Sequence, residues 1–355
     1  MTRVKIMISV LVLLVLSGCA GIGPLTVSRD RFDYVTAISE SWKRQMLLNL
    51  LKVRYSDAPV FMDVASVINA YELTGEVNLS GQVAPVNRGD TFAQLGTAGR
   101  YSDKPTITYQ PLAGDKFTRS LMLPLPISGI LFLIESGYPA DLVLQVCVNS
   151  INDLQNSFGG PGRQQAGDPK FRELITAIRE SQAMGGMGMR MRTTKDKQTV
   201  VMFLRPSTDE AIAAPLRKIR ELLGLSETAR EFNIVYGTYP ENDTEISILS
   251  RSILQVLIDL ASHFDVPEVD LAEGSVYGLQ RTPEKERMFP PLLIVRCGPS
   301  APGNAHVSVN YRNQWFWIED RDRQSKQMFN FIMFLFSLTE TGTAQAAPIV
   351  TIPSR

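Results

Sequence analysis

His306-Val307-Ser308-Val309-Asn310-Tyr311-Arg312-Asn313-Gln314-Trp315-Phe316-Trp317-Ile318 reads as two short strands joined by a tight turn at Arg312-Asn313. It is followed by a helical run over 322–338, almost wholly apolar from Phe329. A hairpin that feeds a helix within about thirty residues sets the theme for the chain. Met187, Met189 and Met191 alternate with Arg190 and Arg192, and Thr194 to Lys197 turns the chain into a second strand, Thr199 to Leu204. Asp168 before Pro169 predicts an N-cap and a helix, and Ser207-Thr208-Asp209-Glu210 predicts a capping box before the helix 210–223. Strands alternate with helices and hairpins, so the expected fold class is α+β, with mixed and antiparallel sheets and hairpins packed against several helices.

Outward from these elements, helices are expected over 33–53, 127–136, 140–158 and 245–264, and strands over 231–239 and 292–296. A short strand is expected at 106–109, a return strand at 116–121 and an edge strand at 349–352. The stretch from Gly75 to Gly99 is glycine-rich and β-leaning, without a helical period, as in a loop-rich sheet. Phe158-Gly159-Gly160-Pro161-Gly162 is the strongest internal break. It divides an expected N-terminal domain, 31–158, from a C-terminal α+β domain, 163–355.

The chain has 355 residues, with 36 basic and 36 acidic side chains and zero formal net charge. A general nucleic-acid binder needs a basic surplus, so no nucleic acid is expected as a partner. The composition also excludes collagen-like, disordered and disulfide-dense classes.

The N-terminus carries the most specific signal. Arg3 and Lys5 precede an apolar run, Ile6 to Leu16, of signal-peptide length. Leu16-Ser17-Gly18-Cys19 follows and resembles a bacterial lipobox. That resemblance implies a signal peptide over 1–18, lipid attachment at Cys19, and a mature chain held on a membrane through its acyl chains. Ala20 after the cysteine implies outer-membrane sorting, with the body on the periplasmic face. The competing readings are a plain secretory signal and an uncleaved anchor. Residues 19–30 read as a short tether that keeps the body close to the membrane.

Cys147 and Cys297 are left as a pair in an oxidising compartment, where a disulfide is permitted; two separately buried thiols are the other reading. Two histidines, with no HExxH, CxxC or EF-hand loop, point to no metal and no cofactor. Phosphate-cradle and serine-hydrolase signatures are absent.

One polar cluster stands out, Glu319-Asp320-Arg321-Asp322-Arg323. Glu319, Asp320 and Asp322 are candidate catalytic carboxylates if two of them face a cleft roughly 5–9.5 Å apart. Otherwise Asp320 or Asp322 caps the following helix. Trp315 and Trp317 share one strand face, as a ligand-stacking platform or as part of a packed sheet. The apolar helix after them belongs in a core, or docks a partner or a membrane.

The stretches 136–152 and 315–336, with Pro348-Ile349-Val350-Thr351-Ile352-Pro353, resemble segments of a bacterial lipoprotein family of no known activity. The resemblance implies no catalytic residue or cofactor. The function expected is a non-catalytic binding or assembly component of the cell envelope, with an envelope protein as partner. Its rivals are a periplasmic enzyme acting on envelope glycans or other polymers, and a small-ligand binding module.

Overall fold

The computed structural model describes residues 22–68, 71–82, 92–103, 106–160, 163–194, 197–277 and 290–339. The fold is α+β. Residues Val60–Ala113 form one compact unit; the chain up to Pro59 and from Gly114 onward forms the other.

The larger unit is built on a six-stranded sheet. Its strands are β5 (Val148–Ile151), β6 (Leu154–Gln155), β9 (Met187–Thr194), β10 (Lys197–Leu204), β11 (Glu231–Tyr236) and β12 (Glu245–Ser250). They lie in the order β6-β5-β12-β11-β10-β9, with β11 and β12 parallel and the other neighbours antiparallel. Four helices supply the apolar layer on one face: α3 (Ile127–Glu135), α4 (Ala140–Cys147), α5 (Pro169–Ala183) and α6 (Glu210–Leu223). Leu131, Leu144, Ile178 and Ile219 from those helices meet Ile151, Met202, Ile234 and Ile248 from the strands around a void of only about 30 Å³. The layer is therefore filled, as a well-packed interior requires.

Two elements depart from the sequence reading for one reason. The helix expected over 140–158 ends at Cys147, and the chain continues as β5 and β6 around Asn152-Asp153, both at positive φ. The helix expected over 245–264 is β12 followed by α7 (Ile253–Ser262). Both β5 and β12 are interior strands and buried almost throughout, so they lack the alternation that marks a half-exposed strand. They pair with each other across the expected domain boundary, so the chain on both sides of Phe158–Gly162 shares one sheet. That break is instead the edge of β7 (Phe158–Gly160), which pairs with β8 (Arg163–Gln165) and lies on α7. A Cβ on Gly159 would come within 2.1 Å of Ser262 Oγ, which explains a glycine there without any ligand.

The capping signals divide similarly. Asp168 Oδ1 accepts from the Lys170 N–H at 2.8 Å, as the sequence predicts. At α6 the cap is Asp209, which accepts from the Ala211 N–H at 3.0 Å, rather than a Ser207 box. The full capping box lies at α7, where Ser252 Oγ accepts from the Gln255 N–H and Gln255 Oε1 accepts from the Ser252 N–H. The segment read as a return strand, 116–121, is a helix, α2 (Asp115–Met122), supported by the Arg119–Asp115 pair one turn apart.

A second sheet holds β13 (Arg296–Gly298), β15 (Gln314–Glu319) and β14 (Ala305–Tyr311), in that order. β14 and β15 form the expected hairpin, with Arg312 and Asn313 both at positive φ as a type I′ turn demands. β15 is followed by α9 (Arg323–Thr339). α9 buries Met328, Phe329, Phe331, Ile332, Leu335 and Phe336 and leaves Asn330 and Ser337 outside. It is one-sided rather than apolar all round. Phe334 is partly exposed and stacks on Tyr138 at 6.3 Å.

The first element, α1 (Ile22–Arg54), begins inside the stretch read as a tether. Pro24 falls in its first turn, where a missing N–H leaves no bond unmade. From Met46 onward α1 is largely buried, through Leu47, Leu50, Leu51 and Val53, and packs on α7 and β14. Its earlier half is not: Phe32 is 70% and Val35 59% exposed. A short helix, α8 (Glu268–Ala272), completes this unit among the described residues.

The smaller unit consists of two antiparallel ladders. β1 (Phe61–Ile68) pairs with β4 (Thr106–Leu112), and β2 (Tyr71–Gln82) with β3 (Phe92–Asp103). Where it is described, the region read as β-leaning and loop-rich is a long antiparallel ladder. The residues of the expected final strand, 349–352, lie outside the described residues, as do Cys19 and the signal segment.

Candidate functional site

The Glu319–Arg323 cluster sits where β15 hands over to α9. Asp322 Oδ1 accepts from the Ser325 N–H at 3.0 Å, and its Oδ2 accepts from Ser325 Oγ at 2.6 Å. Ser325 Oγ in turn accepts from the Ile294 N–H at 2.9 Å. Asp322 is therefore the N-cap of α9 and, through a buried serine, fastens the segment before β13. This is the capping alternative of the sequence reading.

Asp320 accepts from Lys326 Nζ at 2.6 Å, and this ammonium holds its carboxyl below the usual range. Glu319 accepts from Arg296 Nε at 3.0 Å across the sheet. Both carboxylates are about half exposed. Each of the three acids is thus committed to a different structural partner, and none lines the void in the sheet–helix layer or the groove between α5 and α6. Asp322 serves as a cap, and Glu319 and Asp320 sit in surface ion pairs.

His306 lies beside this cluster, with Nδ1 3.9 Å from Asp320 Oδ1. Burial, followed by the nearby Lys43 and Lys326 ammonium groups, pushes its pKa down, against the smaller opposing pull of Asp320 and Glu40. Its ring edge meets Phe329 in a T-shaped contact. His263 is the C-cap residue of α7. Among the described residues no group of three His, Cys, Asp or Glu side chains is placed to hold a metal ion.

Trp315 and Trp317 are half-buried on one face of β15, with Phe316 fully buried on the other. A Cβ on Gly298 of β13 would stand 3.3 Å from the Trp317 ring, so the indole packs down on the neighbouring strand. Phe316 meets Tyr55, whose hydroxyl donates to Asp270 Oδ2 at 2.5 Å. This is the packed-sheet alternative, with the aromatic rings used as filling.

Cys147 and Cys297 are free thiols, so the permitted disulfide is not formed. The reason is placement. Cys147 closes α4 beneath Arg251, and burial raises its thiol to about 12. Cys297 sits in β13 near Tyr55, Asp265 and Asp270, where burial and those carboxylates raise its pKa.

Two features were not foreseen. Among the described residues Arg251 is the largest fully buried side chain, and its guanidinium reaches backbone carbonyls, one amide and one acid from four segments. It donates to Asp259 Oδ2 at 2.8 Å, to Asn149 Oδ1 at 3.1 Å, to the carbonyls of Gln145 and Val146, and to the Ser157 carbonyl. The other is an open groove of about 540 Å³ between α5 and α6, lined by Arg172, Glu173, Thr176, Glu180, Pro215 and Lys218 among others. Lys218 of α6 and Glu173 of α5 pair there at 3.1 Å.

No protein-family model matches the chain, and neither the curated proteins nor the solved structures yield a match. Among the described residues no helix is long and apolar enough to cross a membrane.

Proposed function

We propose that this chain is an outer-membrane-anchored periplasmic lipoprotein, acting as a non-catalytic binding or assembly component of the cell envelope. The observation that carries the reading is the order Arg3 and Lys5, the apolar run Ile6–Leu16, then Leu16-Ser17-Gly18-Cys19. A thiol at that position takes the lipid, and two or more acyl chains hold a protein on a bilayer stably. The non-catalytic half of the reading is supported by Glu319, Asp320 and Asp322, each occupied by a structural partner.

The test is metabolic labelling with an alkyne fatty acid in a Gram-negative host, followed by density separation of the two membranes. Label on the wild type in the outer-membrane fraction, and its loss in Cys19→Ala, is the expected result. An unlabelled wild type, or a Cys19→Ala chain still seated in membranes without a partner, overturns the anchor. In vivo crosslinking tests the assembly role, which fails if only uncrosslinked single chains are recovered.

A further inference from the structure

The β2–β3 ladder holds an alternation that neither the body nor the anchor uses. Its register pairs Leu73 with Tyr101, Val77 with Thr97, and Leu79 with Leu95. Because successive residues of a strand belong to opposite faces, Tyr71, Leu73, Val77 and Leu79 share one face with Ala93, Leu95, Thr97 and Tyr101. Gly75, Gly81 and Gly99 fill three further positions of that face, and Asp103, at the end of β3, is its one charged residue. The other face is mostly polar, with Glu72, Thr74, Glu76, Asn78, Gln94 and Arg100, and also takes Ala98 and, at the start of β3, Phe92. Ile68 pairs with Thr106 and Tyr71 with Asp103, the same register in both ladders, which β1 and β4 hold as far as Ser66 and Thr108 before a bulge shifts it at Val64; Ile107 and Tyr109 of β4 are exposed.

Such a ribbon is incomplete in water. Two strands alone are marginal. Among the described residues both outer edges of β2 and β3 lack a partner strand, and an open edge is a template for another strand. The two strands are equal, at 12 residues each. At a rise of about 3.3 Å and a barrel tilt near 40°, that length covers about 30 Å along a membrane normal. One apolar face, one polar face and this length are the pattern of a membrane-spanning β-hairpin.

We infer that several copies of this chain each contribute β2 and β3 to one closed β-barrel crossing the bilayer. The free edge of β3 in one copy pairs with the free edge of β2 in the next. This head-to-tail contact is satisfied throughout only when the ring closes. The smallest barrel, of about eight strands, needs at least four copies. The Leu73–Leu79 face meets lipid, and the Glu72, Glu76 and Arg100 face belongs to the lumen. The inference rests on the proposed outer-membrane address, which supplies the bilayer.

The experiment uses the full chain, extracted from host membranes in a mild non-ionic detergent. Native mass is measured first, then conductance in bilayers of phosphatidylethanolamine and phosphatidylglycerol. A defined oligomer of four or more copies with stepwise conductance is expected. Leu79→Arg combined with Leu95→Arg should cut channel events at least ten-fold while the melting of the larger unit is unchanged. Glu76→Lys should keep the channel but shift its reversal potential towards anions in a salt gradient. A monomer without conductance above that of empty bilayers overturns the inference, as does a channel indifferent to the two arginines. A lipid-labelled monomer without conductance sinks the barrel and leaves the anchor standing. An unlabelled oligomer that conducts sinks the anchor and leaves the barrel.

Discussion

Arg251 Nη1 and Asp259 Oδ2 meet at 2.8 Å, on an arginine that is 1% exposed, and the second oxygen of Asp259 accepts the Gly159 N–H at 2.7 Å. One acid thereby joins the start of α7 to the β7 edge. Removing one partner of a buried pair leaves the other charge uncompensated, at a cost of about 3–5 kcal/mol. Arg251→Ala should lower the unfolding free energy measured in urea by that much. Arg251→Met, which fills the volume without a charge but still strands Asp259, should recover only part of it. An Arg251→Ala midpoint equal to wild type would show that the network carries no stability.

Gly159→Ala tests the close approach of β7 to α7. The added carbon meets Ser262 Oγ and Cβ, so the strand or the helix must shift. Overpacking of this kind costs about 1–3 kcal/mol. Gly129→Ala is the control, since a Cβ there meets nothing within 4 Å. Calorimetry should show a lower melting temperature for the first variant and none of that loss for the second.

The acids at the head of α9 should separate by role. Asp322→Ala removes the cap and should cost about 1 kcal/mol, within the usual 0.5–2 range. Glu319→Gln and Asp320→Asn disturb exposed, solvent-screened pairs and should leave the denaturation midpoint at its wild-type value. Equal losses at all three positions, in chemical denaturation, would contradict the cap assignment.

His306 gives the fold a sensitivity to acid. Its folded pKa lies below the ordinary value of 6.5 because burial and two ammonium groups disfavour the charged ring. The unfolded chain therefore binds the proton first as pH falls below about 6.5. Stability contributed by the neutral ring is present above that pH and is lost through the window beneath it. His306→Phe should flatten the dependence of the urea midpoint between pH 7 and 5. An unchanged slope would remove His306 as its source.

Both thiols should stay separate. In non-reducing electrophoresis the chain should migrate as it does when reduced. Cys147, fully buried with its pKa raised to about 12, should resist iodoacetamide until the protein unfolds. Rapid alkylation of Cys147 in the native protein would contradict its burial.

How much could be read from the sequence depended on whether a signal was local. The Asp168-Pro169 cap, the hairpin through Arg312-Asn313 and the cap at Asp322 are each written within a few residues, and each is present. β5 and β12 were read as helix because interior strands show no alternation, and their proof is a pairing between distant segments. Local cues did exist, in Asn152-Asp153 and in Ser252 with Gln255. Arg251 had no such cue. Its partners Asn149 and Ser157 lie 102 and 94 residues away, so only the folded chain brings them together.

The half-packed helix α1 turns distance and direction into properties of chain length. Its buried end is clamped from Met46 onward, while Phe32 and Val35 in its outer turns are exposed. Each residue there adds about 1.5 Å of reach and about 100° of rotation. Deleting seven residues would shorten the arm by about 10 Å and nearly restore its phase, whereas deleting five would swing its outer face by about 140°. Whatever is attached beyond Ile22 is presented to the body at a set azimuth as well as a set height.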